Sequence, residues 1–368
     1  MKILRDNQFG ALFHALKKWG YRIIGPVTNN GTIVYDCITR DADLPRGVTD
    51  DTAPGHYGLS PTAGRARFAW HAPSNSPRQY LFPPRVPRFH MRQDENPPRI
   101  TAPAIPVRTA LIGIRPCDLA AIRSLDTVLL DGPHPDPDYR MRREATFIVA
   151  VNCNTLGATC FCKDTGTGPR AHGGYDVLLT EYESPNHVFS VETGSERGEN
   201  FVSDLPVDEG SPDLRDANDP SVASECQSNA TTLSLNGVGE LLAESFDSPL
   251  WDEIADQCTT CGNCTMVCPT CFCHRYEETS SLDGTEVTRS RVWDTCFSQD
   301  YSALHSGAIR ISTKSRYRNW ITHKLGTWAQ QFDSPGCVGC GRCIAWCPVG
   351  IDLTGVIRDL RRRRSPML

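Results

Sequence analysis

Seventeen cysteines in a chain of 368 residues are the groups whose spacing speaks most directly of chemistry. Two runs stand out: CTTCGNCTMVCPTCFCH, from Cys258 to His274, and CVGCGRCIAWCPVGID, from Cys337 to Asp352. Both contain CxxCxxCxxxCP. A [4Fe–4S] cube needs four thiolates converging on one centre, and in two-cluster ferredoxins the fourth cysteine of each run serves the other cluster. The spacing therefore assigns Cys258, Cys261, Cys264 and Cys347 to one cluster, A. It assigns Cys268, Cys337, Cys340 and Cys343 to a second, B. Pro269 and Pro348 keep a helix from continuing from those points. Gly262, Gly339 and Gly341 allow the backbone to approach a cluster and donate N–H groups to its sulfides. Zinc ribbons would use paired CxxC alone and leave both CxxxCP extensions unexplained.

A third grouping lies nearer the N-terminus. Cys117 stands in GIRPCDL, and Cys153, Cys160 and Cys162 stand in VNCNTLGATCFCKDTGTG. Each segment follows a strand-like apolar run. If those two strands are parallel neighbours, both loops leave the same carboxyl edge, and four cysteines meet there, the number one cube needs. The reading favours a third [4Fe–4S] cluster, C, with Arg115 and Asp118 positioning the loop and Gly166 and Gly168 suited to close backbone approach. A structural CxC pair without metal, or a zinc site, remains open at this point. Cys271, Cys273 and Cys296 fall between the two ferredoxin-like runs and read as buried thiols near cluster A, packed with Trp293, with alternate ligation by one of them also open. Cys37 and Cys226 read as ordinary thiols.

These groups need elements to hold them. Phe9, Leu12, Phe13 and Leu16 repeat at helical spacing, and a strand is expected near Tyr21–Ile24. Residues 45–106 carry twelve prolines and read as irregular chain wrapped on a core. A strand over Arg108–Ile114, a helix over Asp118–Leu130 and a buried strand over Ala145–Val151 follow. Two further strands are expected near Asp176–Thr180 and His187–Val191. Residues 181–219 hold eleven acidic residues against two arginines and read as a solvated, mobile or partner-facing insert. From about residue 236 the pattern turns helical, and the final Arg361–Arg364 run reads as a solvated tail. The expected fold class is α+β: an N-terminal α/β domain over 1–230 with a partly parallel sheet, then an α-helical ferredoxin-type domain over 231–368 holding two [4Fe–4S] clusters. The 68 residues between Cys268 and Cys337 exceed what a compact βαββαβ ferredoxin needs.

Composition sets outer limits. With 38 basic and 43 acidic residues the net charge is −5, which argues against a basic nucleic-acid binder. A hydrophobic fraction of 39% supports a folded core. No run approaches the ~20 apolar residues of a membrane-spanning helix, and the first residues read as mature structure instead of a signal peptide. An odd number of cysteines without a secretion signal points to a reducing, cytoplasmic compartment and metal ligation over disulfides. There is no GxGxxG after a strand, no GxxxxGK[ST] and no HExxH, so no nicotinamide, flavin or nucleotide site and no catalytic site is evident in the chain. A chain with several clusters and no substrate chemistry conducts electrons between partners.

Taken together, GIRPCDLAAI, VNC…TCFC…GTGP, CPTCFC, WDTC and GCVGCGRCIAWCPVGID resemble the beta subunit of cytoplasmic NAD(P)-linked [NiFe] hydrogenases, also called sulfhydrogenases. The A subunit of anaerobic sulfite reductase is similar. The resemblance covers about 105–180 and 255–355, and departs from the family at Thr295 of WDTC, where Ser is expected. It implies an iron–sulfur electron-transfer subunit of a multi-subunit oxidoreductase. The implied partners are a flavin subunit that handles NAD(P)H and the small and large subunits of the hydrogenase. The alternative is an electron-transfer subunit of an anaerobic sulfite reductase or heterodisulfide-reductase-type complex; a regulatory iron–sulfur sensor lacks the DNA-binding module it would need.

Overall fold

The computed structural model describes residues 1–71, 73–94, 97–101, 106–183, 186–210 and 233–364. The boundary expected at 230/231 and Cys226 lie outside them.

Chain order gives β1 (Lys2–Arg5), β2 (Arg22–Asn29), β3 (Thr32–Cys37), β4 (Val48–Ala53), β5 (His56–Pro61), β6 (Arg85–Arg92) and β7 (Arg99–Thr101). Then come β8 (Thr109–Ile114), β9 (Thr146–Val151), β10 (Val177–Tyr182), β11 (Val188–Thr193), β12 (Asp208–Glu209), β13 (His274–Ser280) and β14 (Glu286–Trp293). The main sheet runs β12–β1–β11–β10–β9–β8–β2–β3. Its centre, β2–β8–β9–β10, is parallel, and the flanking pairs are antiparallel. Every residue of β8, β9 and β10 is buried, as expected of continuous apolar strands covered on both faces. Gly113 makes a bulge where the β8–β9 register shifts between Ile112 and Ile114. Its φ is +77° and a Cβ there would sit 3.0 Å from the Phe68 ring, so a side chain is refused twice over. The bulge precedes Arg115 and Cys117, and it re-aims the chain at the sheet's carboxyl edge.

Helix Gly10–Lys18 buries Leu12, Phe13 and Leu16 against this sheet, the face its spacing predicts. The helix expected from Asp118 begins earlier, at Pro116, which takes the first-turn position with Cys117 and Asp118 beside it.

Three expectations are corrected. The proline-rich segment is not irregular throughout: β4 and β5 form a hairpin, and β6 pairs with β7 and β14 in a second sheet ordered β13–β14–β6–β7. The same sheet places a hairpin, β13–β14, inside the stretch expected to be α-helical, and joins strands from either side of residue 230. Up to residue 210, the acidic stretch is also structural and not a free insert. Glu181 is buried, and its carboxylate accepts the Arg67 and Phe68 N–H groups at 2.8 and 3.0 Å. Glu183 takes the Arg65 N–H at 2.7 Å. Acidic side chains thus cap the backbone of a segment whose prolines leave it short of ladder partners. Residues 184–185 and 211–219 lie outside the described residues.

A second core gathers Leu241, Trp251, Ile254, Trp320, Ile344 and Ile357 from five surrounding helices. The final helix, Leu353–Arg364, docks its arginines on the chain itself: Arg363 pairs with Glu253 at 2.6 Å and Arg364 with Glu244 at 2.7 Å. The run is thus the end of a helix and not a free tail, while Arg362, Arg363 and Arg364 stay solvent-exposed as expected. Among the described residues no helix is long and apolar enough to cross a membrane.

Candidate metal centre

Cys258 ends helix Leu250–Gln257, and Cys264 rides on the single turn Asn263–Met266. Gly262, at φ +72°, turns the chain between them. Cys347 follows the corresponding turn, Arg342–Ala345. Cys258, Cys261, Cys264 and Cys347 line one cavity together with Cys343, walled by Phe297, Tyr317 and Trp320. Burial pushes the Cys264 thiol well up, and the nearby Cys258 and Cys261 add to it. A set of thiols that cannot ionise together without a cation is what a metal centre offers its metal. The Ile351 N–H points at Cys347 Sγ from 3.3 Å.

Cys268, Cys337, Cys340 and Cys343 form the next group. Cys343 lies within electrostatic reach of the other three. Burial pushes the Cys337 thiol up to about 12. The Gly339 N–H donates to Cys337 Sγ at 3.5 Å. Lys324, a residue that sequence reasoning passed over, is buried beside this group. Its ammonium donates to Thr270 Oγ1 at 2.7 Å, and Thr270 Oγ1 lies 3.3 Å from Cys268 Sγ. Arg78 is buried nearby and donates to the Cys271 and Met266 carbonyls. Among the described residues neither cation is matched by a carboxylate, so negative charge on the thiolate groups is their natural counterpart.

The third group meets where the parallel sheet requires. β8 and β9 are neighbours, with Ile112 opposite Val149, and Cys117 and Cys153 leave their carboxyl ends. Cys153 is within electrostatic reach of Cys160 and Cys162. Cys117 packs with Cys162 and Cys340. Arg115, only 1% exposed, stacks 4.2 Å over Trp70 and donates to the Phe68 carbonyl at 2.7 Å. Its Nη1 lies 3.9 Å from Cys153 Sγ, and its Nε is buried without a partner. A Cβ on Gly168 would lie 2.9 Å from Cys162 Sγ, so that glycine serves close approach; Gly166, with open space around it, serves only the turn.

The three groups adjoin one another. Cys343 belongs to the second and lines the cavity of the first. Cys340 belongs to the second and packs against Cys117 and Cys162 of the third. Cys160 Sγ is 3.8 Å from the Cys340 carbonyl, and the Phe161 N–H donates to the Gly339 carbonyl at 2.8 Å. The β4–β5 hairpin seals the far side: Gly55 N–H donates to the Ile344 carbonyl at 3.0 Å, and Tyr57 stacks on Trp346 at 4.7 Å. The glycines of the second motif thus approach protein backbone as well as the thiols. Among the described residues no three His, Cys, Asp or Glu side chains are drawn around a single ion-sized point; the thiols of the first group are ranged about a cavity instead.

Three cysteines stand apart from these sets. Cys271 is buried against Cys268, while Cys273 and Cys296 are half-buried and touch each other. Trp293 is occupied elsewhere, under the Arg78 guanidinium at 3.6 Å. Cys37 is exposed.

Comparison with known proteins agrees with this cysteine chemistry. Residues 257–351 match the 4Fe-4S dicluster domain family. Sulfhydrogenase 2 subunit beta of Pyrococcus furiosus is 31% identical over 367 residues, spanning 97% of each chain. No solved structure matches. The chain is an iron–sulfur protein of electron transport, and it belongs to the sulfhydrogenase beta-subunit family.

Proposed function

We propose that the chain carries three [4Fe–4S] clusters in a row, A–B–C, and relays electrons between an NAD(P)H-oxidising flavin subunit and a [NiFe] hydrogenase module. Cluster A is held by Cys258, Cys261, Cys264 and Cys347, cluster B by Cys268, Cys337, Cys340 and Cys343, and cluster C by Cys117, Cys153, Cys160 and Cys162. A bound cube accepts and returns one electron at a time. The single observation that supports the reading is the abutment of the three thiol groups through Cys343 on one side and Cys340 on the other.

The chain's own residues tune that path. Lys324, Arg78 and Arg115 bring buried positive charge to the thiolates. Gly339 and Ile351 aim N–H groups at sulfur. Aromatic walls around the first group exclude water and lower the local dielectric. Cys261 is exposed, so the A end faces a partner subunit, and the buried Cys117, Cys160 and Cys162 make the C end the shielded one.

Iron and acid-labile sulfide analysis of anaerobically purified protein tests the count. About twelve iron per chain is expected for three cubes, and Cys160→Ser should remove about four. About eight iron in the wild type, unchanged by Cys160→Ser, removes cluster C from the proposal.

A further inference from the structure

Cys273 and Cys296 belong to none of the three proposed ligand sets, yet the fold brings them together. Cys273 directly precedes β13 and Cys296 follows β14 by three residues. The ladder closes with His274 opposite Trp293, and the Asp294 N–H donates to the Cys273 carbonyl at 3.0 Å. The base of the hairpin is therefore clamped, and the two thiols are in hydrogen-bonding contact across it. Ligands of one cube are held apart on separate corners by the inorganic core. Two thiols touching each other are instead arranged as the reduced half of a disulfide.

Their surroundings fit that role. Neither is fully buried, so reagents and protons reach them. The Tyr301 hydroxyl hydrogen-bonds to Cys273, and Lys324 lies within electrostatic reach of both thiols. Both are arrangements that favour a thiolate. Cys296 is within reach of Cys264, a proposed ligand of cluster A. Cys273 is within reach of Cys271, which hydrogen-bonds to Cys268 of cluster B. The pair thus sits beside the junction of two one-electron carriers.

We propose that Cys273 and Cys296 form a reversible thiol/disulfide couple, a two-electron store exchanging electrons with clusters A and B. The inference rests on the cluster assignment above. On reduction the S–S bond breaks as two electrons arrive, one from each reduced cluster, and one proton is taken from solvent. The products are a Cys273 thiolate held by Tyr301 and a Cys296 thiol, with both clusters returned to their oxidised state. On oxidation the same bond forms, the proton leaves and the two electrons go back to the clusters.

The test uses the full chain, purified without oxygen and poised with dithionite or with ferricyanide. Free thiols are then capped and the peptides mapped by mass spectrometry. A Cys273–Cys296 cross-linked peptide is expected in the ferricyanide sample and not in the dithionite sample. Reductive titration should take up two more electrons per chain in the wild type than in Cys296→Ser, at equal iron content. Capping of both thiols in the oxidised wild type overturns the proposal, and that experiment needs no variant. Loss of about four iron per chain in Cys296→Ser also overturns it, by making these thiols cluster ligands. Absence of iron from the wild type would instead strike the cluster assignment itself, while the cross-link map reports separately on the thiol pair.

Discussion

Asp118 and Arg342 form a two-point ion pair with both side chains fully buried, at 0% exposure each: Nη1 donates to Oδ1 at 2.7 Å and Nη2 to Oδ2 at 2.9 Å. Asp118 adjoins Cys117 on the helix after β8, and Arg342 stands between Cys340 and Cys343. One planar, bidentate contact therefore fixes the third thiol group against the second. Tyr35 closes the carboxylate's other side, its hydroxyl lying 3.4 Å from Asp118 Oδ2.

Removing one partner of such a pair strands a buried charge, which costs about 3–5 kcal/mol. Asp118→Ala should lower the unfolding free energy of the iron-loaded protein by that amount, read from denaturant midpoints at constant slope. Asp118→Leu combined with Arg342→Met should recover a large part of it, because no charge is left stranded. A loss of about 1 kcal/mol or less in the single variant, the worth of a surface pair, would show that water reaches this contact.

Close approach of backbone makes a second prediction. A Cβ on Gly339 would lie 2.6 Å from the main-chain N and Cα of Cys162, at φ +61°. Those are backbone atoms and cannot swing away. Gly339→Ala should therefore disturb both neighbouring thiol groups and deplete more than the roughly four iron atoms of one cube. Gly166→Ala is the control: its φ is +66° but nothing lies within 4 Å of the added carbon. It should cost about 1–2 kcal/mol of backbone strain and no iron. Equal iron loss in both variants would place the effect in general misfolding.

Lys324 tests the electrostatics. Its ammonium stabilises the more negative, reduced form of whatever lies at Cys268. At an effective dielectric of ~20 and a separation of ~8 Å the interaction is about 2 kcal/mol, on the order of 90 mV for a one-electron couple. Lys324→Met keeps the apolar stem, and Thr270 retains its 2.8 Å hydrogen bond to the Gly336 carbonyl. Cluster B should become harder to reduce by that order in an EPR-monitored titration, with cluster C less affected. A potential unchanged within ~20 mV would mean that solvent screens the charge.

Much of this arrangement was legible in the chain, and the gaps have physical causes. The ferredoxin-like runs carry their geometry locally, because CxxCxxC wraps three thiols about one point within a single turn. The parallel pairing of β8 and β9 could be anticipated from two continuous apolar runs. Pairing between β6 and β14 could not, since strands of mixed polarity with a proline and five arginines between them show no clean alternation and find partners only in three dimensions. The acidic stretch misled because charge composition does not say that Glu181 will be buried as a cap for backbone N–H groups. Arg342 was visible inside its motif, but nothing local names Asp118 as its partner across 224 residues of sequence.

Thiol reactivity offers the last prediction. The hydrogen bond from Cys296 draws the Cys273 thiol down to about 6, against the opposing effect of burial and with help from Tyr301 and Lys324. Below that pH the sulfur is a protonated, weak nucleophile; above it the thiolate dominates. Alkylation of Cys273 in the dithionite-reduced protein should therefore rise through pH ~6 and be flat above pH ~7, where an ordinary cysteine is still gaining rate toward ~8.5. Tyr301→Phe removes a donor to the thiolate and should move the midpoint upward while leaving Cys296 in place. Cys296→Ser should move it further, since the hydrogen bond that stabilises the thiolate most is weakened. A wild-type midpoint near 8.5 would mean that the two sulfurs do not touch in solution, and the hairpin base would then hold two independent thiols.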